Sequence, residues 1–113
     1  MARTNIDAQV MARAGVTPSF TSAIAEGHMF VNNGRRALRI KNTDGSSKTV
    51  TVLYGTTVDG QTVPGKTVTV AATTGDVTTA FWPAGYNQTD GRVWFDYSAI
   101  TGVSVAVLEF PEP

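Results

Sequence analysis

The 113 residues contain no cysteine, which removes disulfide frameworks, cysteine-based zinc sites and thiol catalysis together and leaves the redox compartment open. Histidine occurs once, at His28, so imidazole acid–base chemistry has a single candidate group. Charge is scarce: Asp, Glu, Lys and Arg form 16% of the chain, against about 25% in an average soluble domain. No apolar run approaches the ~18 residues of a membrane span, and the first residues lack the apolar stretch of a secretory leader. The expectation is a soluble chain made in the cytosol, with no membrane partner. Its length fits one domain stabilised by packing.

Hydrophobic residues make up 42% of the chain, enough for a folded core, and threonine occurs 17 times. A neutral, hydroxyl-rich, weakly charged surface suits burial against other protein; it also suits any threonine-rich β protein. The nine basic and nine acidic residues balance, but unevenly along the chain. Residues 1–66 carry a net charge of about +4 and the remainder about −4, where Arg92 is the lone basic residue among Asp76, Asp90, Asp96, Glu109 and Glu112. Complementary halves either pair between copies in a homo-oligomer or interleave within one fold.

Residues 1–27 are alanine-rich, lack strand-like alternation and are broken by Gly15, Pro18 and Gly27. They read as an N-terminal arm ordered by a partner. Ile6, Val10 and Ala14 recur every fourth residue behind Asn5, which predicts one or two helical turns that need a surface to lie on; the alternatives are a frayed tail or a strand closing the domain's own sheet. From His28 onward the period is two: Leu38 and Ile40; Val50, Val52 and Tyr54; Val68 and Val70; Val93, Phe95 and Tyr97; Val103, Val105 and Val107. A shorter run covers Thr78 to Trp82. Asn33-Gly34, Asp44-Gly45, Asp59-Gly60 and Asp90-Gly91 fall between the runs and supply the positive φ of tight hairpin turns. Residues 28–113 therefore predict an all-β domain, a small antiparallel β-sandwich of about seven strands, jelly-roll-like or Ig-like. Pro111 and Pro113 follow the last run and stop its edge from extending.

Gly60-Gln61-Thr62-Val63-Pro64-Gly65-Lys66-Thr67 satisfies the phosphate-loop formula. The lysine, however, runs into alternating Thr67-Val68-Thr69-Val70 instead of the helix whose N-terminus binds the anion, and Pro64 removes an amide. The match is therefore not read as a nucleotide site. No nucleophile elbow accompanies the many hydroxyls, Asp44 lacks calcium-ligand spacing, and Asn87-Gln88-Thr89 has meaning as a glycosylation site only on a secretory route. Asp90 and Asp96 flank an aromatic segment, yet paired carboxylates are unspecific. The chain reads as a non-enzyme with no cofactor and no metal.

The remaining signals are surface ones. In a strand Arg35, Arg39 and Lys41 share one face and Arg36 takes the other; with zero net charge and no basic-aromatic pattern, this face is read as solvated or partner-facing, with no nucleic acid. Six of ten aromatics fall between Phe81 and Tyr97 and are expected to share a neighbourhood, most of them as core. Trp94 alternates out of phase with Val93, Phe95 and Tyr97 and so points away from their face, toward an interface. Trp82, Tyr86 and Trp94 would together make a stacking platform for sugar rings, which keeps a free carbohydrate-binding sandwich as the rival from another class.

The order of these pieces resembles the small head-decoration, or cement, proteins of tailed bacteriophages. The resemblance runs over most of the chain, through Ala14-Gly15-Val16, Phe30-Val31-Asn32-Asn33-Gly34-Arg35, Leu38, Lys41-Asn42 and the Lys48–Val52 strand. It continues through Val58-Asp59-Gly60, Lys66–Val70, Phe81-Trp82-Pro83, Tyr86-Asn87, Asp90-Gly91 and Tyr97-Ser98. Similar proteins tend to have proline after Phe81 where this chain has Trp82. The resemblance implies a structural virion protein, made in the bacterial cytoplasm, that binds the major capsid protein on the capsid exterior, commonly as a homo-oligomer and most often a trimer. A head–tail connector or minor tail protein would share these features. The arm would then dock through Arg3, Ile6, Val10 and Met11, and the domain through Arg35, Arg39, Lys41, Trp82 and Trp94.

Overall fold

Runs in which every second side chain is apolar give strands with one greasy face, and two such faces bury each other. In the computed structural model they form a two-layer sandwich. The structure describes residues 3–80 and 82–111; Phe81, Glu112 and Pro113, which the sequence reading used, lie outside them. The strands among the described residues are β1 (Thr4–Asn5), β2 (Gln9–Val10), β3 (Thr21–Ser22), β4 (His28–Val31), β5 (Arg36–Asn42) and β6 (Lys48–Val52). They continue with β7 (Thr57–Val58), β8 (Gln61–Thr62), β9 (Lys66–Val70), β10 (Gly75–Ala80), β11 (Arg92–Tyr97) and β12 (Val103–Glu109), and a single 3₁₀ turn covers Ala84–Tyr86. Seven of these have four or more residues, the number the alternation predicts; the other five are two residues long and raise the total to twelve.

The first sheet has the order β1-β4-β11-β6-β9, and the second the order β10-β5-β12, with β2 and β3 both on the far side of β12. The hairpin β7-β8 forms a ladder of its own. β1 runs parallel to β4 and β2 parallel to β12; the other ladders are antiparallel. Of the six connections between successive long strands, five cross from one sheet to the other, and only β6 to β9 stays within a sheet. Phe30, Val50, Val52, Val70, Val93 and Phe95 from the first sheet meet Leu38, Ile40, Val103, Val105 and Val107 from the second in one core.

The Asx-Gly pairs do two different jobs. Asp59 and Gly60, at φ 54° and 75°, make the two-residue turn between β7 and β8 that positive φ at both positions selects. Asp90-Gly91 closes a short turn in which the Gly91 amide donates to Gln88 and the Gln88 amide to Arg92. Asn33-Gly34 and Asp44-Gly45 are not hairpins: they carry the chain across the sandwich, from β4 to β5 and from β5 to β6.

The arm departs most from expectation. Its described residues form no helical turn; they pair with the chain's own sheets through β1, β2 and β3. The order therefore comes from within the chain, where the edges of β4 and β12 offer backbone partners that a lone helical turn would lack. Ile6 lies between β1 and β2 and is buried in the core, so the four-residue spacing with Val10 and Ala14, both exposed, marks no common face.

Candidate interaction surfaces

No pocket opens in the described surface, and among the described residues no three His, Asp or Glu side chains come together as a metal site would need. No described helix is long and apolar enough to cross a membrane. The phosphate-loop formula falls on the β7-β8 turn and the start of β9, with Lys66 and Thr67 in a strand. The surfaces available for function are the outer faces of the two sheets, the hairpin and the arm loop with its exposed Val10 and Val16.

On the first sheet Trp94 points outward, as its phase requires, beside Met29 on β4. It is half-buried because the Arg3 guanidinium lies over its ring at 4.9 Å, and its Nε1 donates to Asp90. Arg3 also donates to the Phe95 carbonyl at 3.0 Å and forms an ion pair with Asp96. Room for this seat comes from Gly27, at φ 82°: a Cβ there would strike both Arg3 and Asp96. Next to it the identical segments Lys48–Val52 and Lys66–Val70 pair so that Thr49 faces Thr69 and Thr51 faces Thr67, a small field of hydroxyls. Exposed Val31 ends the row at β4.

The outer face of the second sheet carries Arg39 and Lys41, as the parity of β5 predicts. Neither is a free cation. Arg39 makes two hydrogen bonds to the Asp76 carboxylate, at 3.0 and 2.7 Å, and Phe20 from the arm lies over both basic groups, 4.6 Å from Lys41 Nζ and 5.5 Å from Arg39 Cζ. Arg39 thereby holds the Asp76 carboxyl below its ordinary range. Arg35 is half-exposed, 3.7 Å from Glu109, which Arg36 also pairs at 2.8 Å and holds below the usual carboxylate range. Among the described residues four ion pairs thus join a basic residue of the first half to an acidic residue of the second: Arg3 to Asp96, Arg35 and Arg36 to Glu109, and Arg39 to Asp76. The two oppositely charged halves interleave within one fold.

Two expected interface residues are core. Ile6 fills the gap between the layers, and Trp82 is 6% exposed and packs edge-on against Tyr86, which meets Tyr54 in turn. The indole Nε1 of Trp82 is buried with no partner among the described residues. The expected aromatic neighbourhood is therefore divided: Trp82, Tyr86 and Tyr54 pack together, Phe95 and Tyr97 join Phe30 and His28 in the core, and Trp94 stands on the opposite face. A continuous sugar platform of Trp82, Tyr86 and Trp94 does not form. Val10 is more than half exposed, and Met11 half-buried where its amide donates to Glu109.

Two polar residues, His28 and Asn42, are buried in the core. His28 shares a short hydrogen bond with the Tyr97 hydroxyl; burial, then Arg3, lowers its pKa, and burial raises that of Tyr97. Asn42 has its amide within reach of the Ser46, Val70 and Ala71 carbonyls, and its carbonyl oxygen accepts from the Asp44 amide. The signal for Asn42 was its parity with Leu38 and Ile40. Phe20 had none.

A scan against protein-family models finds no match, and neither the curated proteins nor the solved structures contain a match to this chain.

Proposed function

We propose that this chain is a structural virion protein of a tailed phage, a head-decoration or cement protein that binds the outside of the assembled capsid and ties neighbouring subunits of the major capsid protein together. The observation that carries the reading is the state of its surface. Ion pairs join Arg3 to Asp96, Arg36 to Glu109 and Arg39 to Asp76 within the chain, and the surface carries strand hydroxyls and single exposed apolar residues, Val10, Val16, Val31, Val58 and Ile100, beside scattered exposed charges at Asp7, Arg13, Asp59 and Lys66. Such a surface costs little to desolvate, and in a lattice of many sites weak contacts add through copy number. The resemblance in residue order supports the same role. The surface we assign to the capsid is the first sheet's outer face around Trp94, Met29 and Val31, together with the arm loop that bears Val10, Met11 and Val16. Ile6 and Trp82 leave the interface because they are core. The role is one of binding, without chemistry, cofactor or nucleic acid.

Co-sedimentation of the purified protein with capsids of the source phage tests this. Pelleting at a saturable stoichiometry, weakened by Val31→Asp in a variant that melts like the parent, is the expected result. A protein that stays in the supernatant yet occurs in intact virions would belong to the neck or tail. Absence from virions would overturn the reading.

A further inference from the structure

The open edge of the first sheet carries a second copy's address. Among the described residues β9 has one ladder partner, β6, and the outer side of its backbone is unpaired along Lys66–Thr69; at the end of the strand the Val70 carbonyl is met by Asn42. Unpaired N–H and C=O groups on an edge strand are a template for another strand. The usual blocks are missing here: β9 contains no proline, and its single charge, Lys66, stands at the first position with Thr67, Val68, Thr69 and Val70 behind it.

The chain also displays what pairs with this sequence. β6 and β9 are the same pentapeptide, Lys-Thr-Val-Thr-Val, and they lie antiparallel in the register Lys48 with Val70, Thr49 with Thr69, Val50 with Val68, Thr51 with Thr67 and Val52 with Lys66. That arrangement is a strand paired with its own copy. Threonine faces threonine on the outer side, valine faces valine on the inner side, and each lysine faces a valine so that no like charges oppose. A β9 from a second molecule can repeat on the free side the residue register that β6 has on the occupied side, with the outward backbone groups of Thr67 and Thr69 making the hydrogen bonds.

We propose that two copies of this chain associate through β9 against β9 about a two-fold axis at Val68, with Val68 facing Val68, Thr67 facing Thr69 and Lys66 facing Val70 of the second copy. The two five-stranded sheets then run on as one. The contact is isologous and closes on itself, so it makes dimers and not filaments. Half-buried Val68 is covered in the pair, and backbone hydrogen bonds carry the association as in other strand additions. β10, the second sheet's open edge, pairs elsewhere with no copy of itself and carries Asp76 near its start. This inference stands independently of the virion role.

Mass measured by analytical ultracentrifugation across a wide range of protein concentration is the test. The expected result is conversion from 12.0 kDa to twice that mass as concentration rises. Thr67→Lys with Thr69→Lys sets lysine against lysine across the axis on an exposed face, and is expected to abolish the heavier species with the circular dichroism spectrum unchanged. Thr67→Glu with Thr69→Glu is expected to do the same alone, and an equimolar mixture of the two variants to restore the pair, since each lysine then meets a glutamate. Should the variants fail to fold, Val68→Cys in this cysteine-free chain gives the deciding measurement: mild oxidation should yield a disulfide-linked pair. A single-chain mass at every concentration, a trimer, a dimer indifferent to the lysine variant, or no cross-linking of Val68→Cys would each overturn the proposal.

Discussion

The two flanks of the sandwich are closed by unlike means. On one, the arm lays β1 along β4 and β2 and β3 along β12, pushes Ile6 between the layers and seats Arg3 against Asp96. On the other, β9 and β10 are bare edges, and the Asn42 amide reaches from the second sheet to the Val70 and Ala71 carbonyls at the end of the first sheet's β9. The difference separates two ways of holding layers together. A flank covered by backbone pairing loses little when one side chain is changed and a great deal when the segment is removed; a flank held by one buried amide responds in the opposite way.

Removal of residues 2–22 is expected to have the largest effect. It bares the edges of β4 and β12 and opens the place of Ile6, so the truncated chain should lose its cooperative thermal transition and associate through exposed strands, as seen by circular dichroism and light scattering. A truncated chain that melts like the parent would erase the contrast between flanks. A smaller effect sharpens it. Asn42→Ala leaves buried carbonyls unpaired and should cost about 2–3 kcal/mol, whereas Arg3→Ala, on the arm, should cost about 1 kcal/mol or less because its ion pair is partly exposed. Urea denaturation of both variants measures the two values, and equal losses would contradict the distinction.

The smallest effect is on acid stability, and its order follows from the signs. The folded pKa of His28 lies below its ordinary 6.5, so its neutral form contributes stability in full above that value, and the contribution is lost as pH falls below it toward the folded pKa. Asp44, held at about 2 chiefly by Lys48 and then Ser46, and Asp76, lowered by Arg39, contribute in full above the ordinary 3.8; theirs is lost as pH falls through their lower folded values. Acid therefore weakens the armed flank first, where His28 lies beside Arg3, and the bare flank later. Urea midpoints followed downward from neutral pH should show two slopes, and His28→Gln should remove the first and keep the second.

The strands of five to seven residues were legible because that length is enough to show a period of two, and the same parity placed Trp94, Arg39 and Lys41 on outer faces, whereas four-residue β4 showed no run of its own. β1, β2 and β3 were illegible because two residues have no period, and Ile6, Val10 and Ala14 happen to fall at helical spacing in a chain that is extended. The burial of Trp82 was equally hidden, since it precedes a single 3₁₀ turn, outside any strand whose parity could mark it, and the Tyr86 it packs on is itself covered by the sequence-distant Tyr54. The uneven charge was visible, but which acid meets which base depends on register, and register exists only once β5 lies between β10 and β12.

The position of β12 sets a timetable for the growing chain. It is the last made of the described strands and the central one of its sheet, the partner of β5 on one side and of β2 and β3 on the other. Residues 9–10 and 21–22 thus emerge from the ribosome long before the strand they belong beside, and β5 waits with one side open over the same interval. Because nearly every long connection changes sheets, neither layer can be finished early as a stable part. The second sheet has no centre until residues 103–109 arrive.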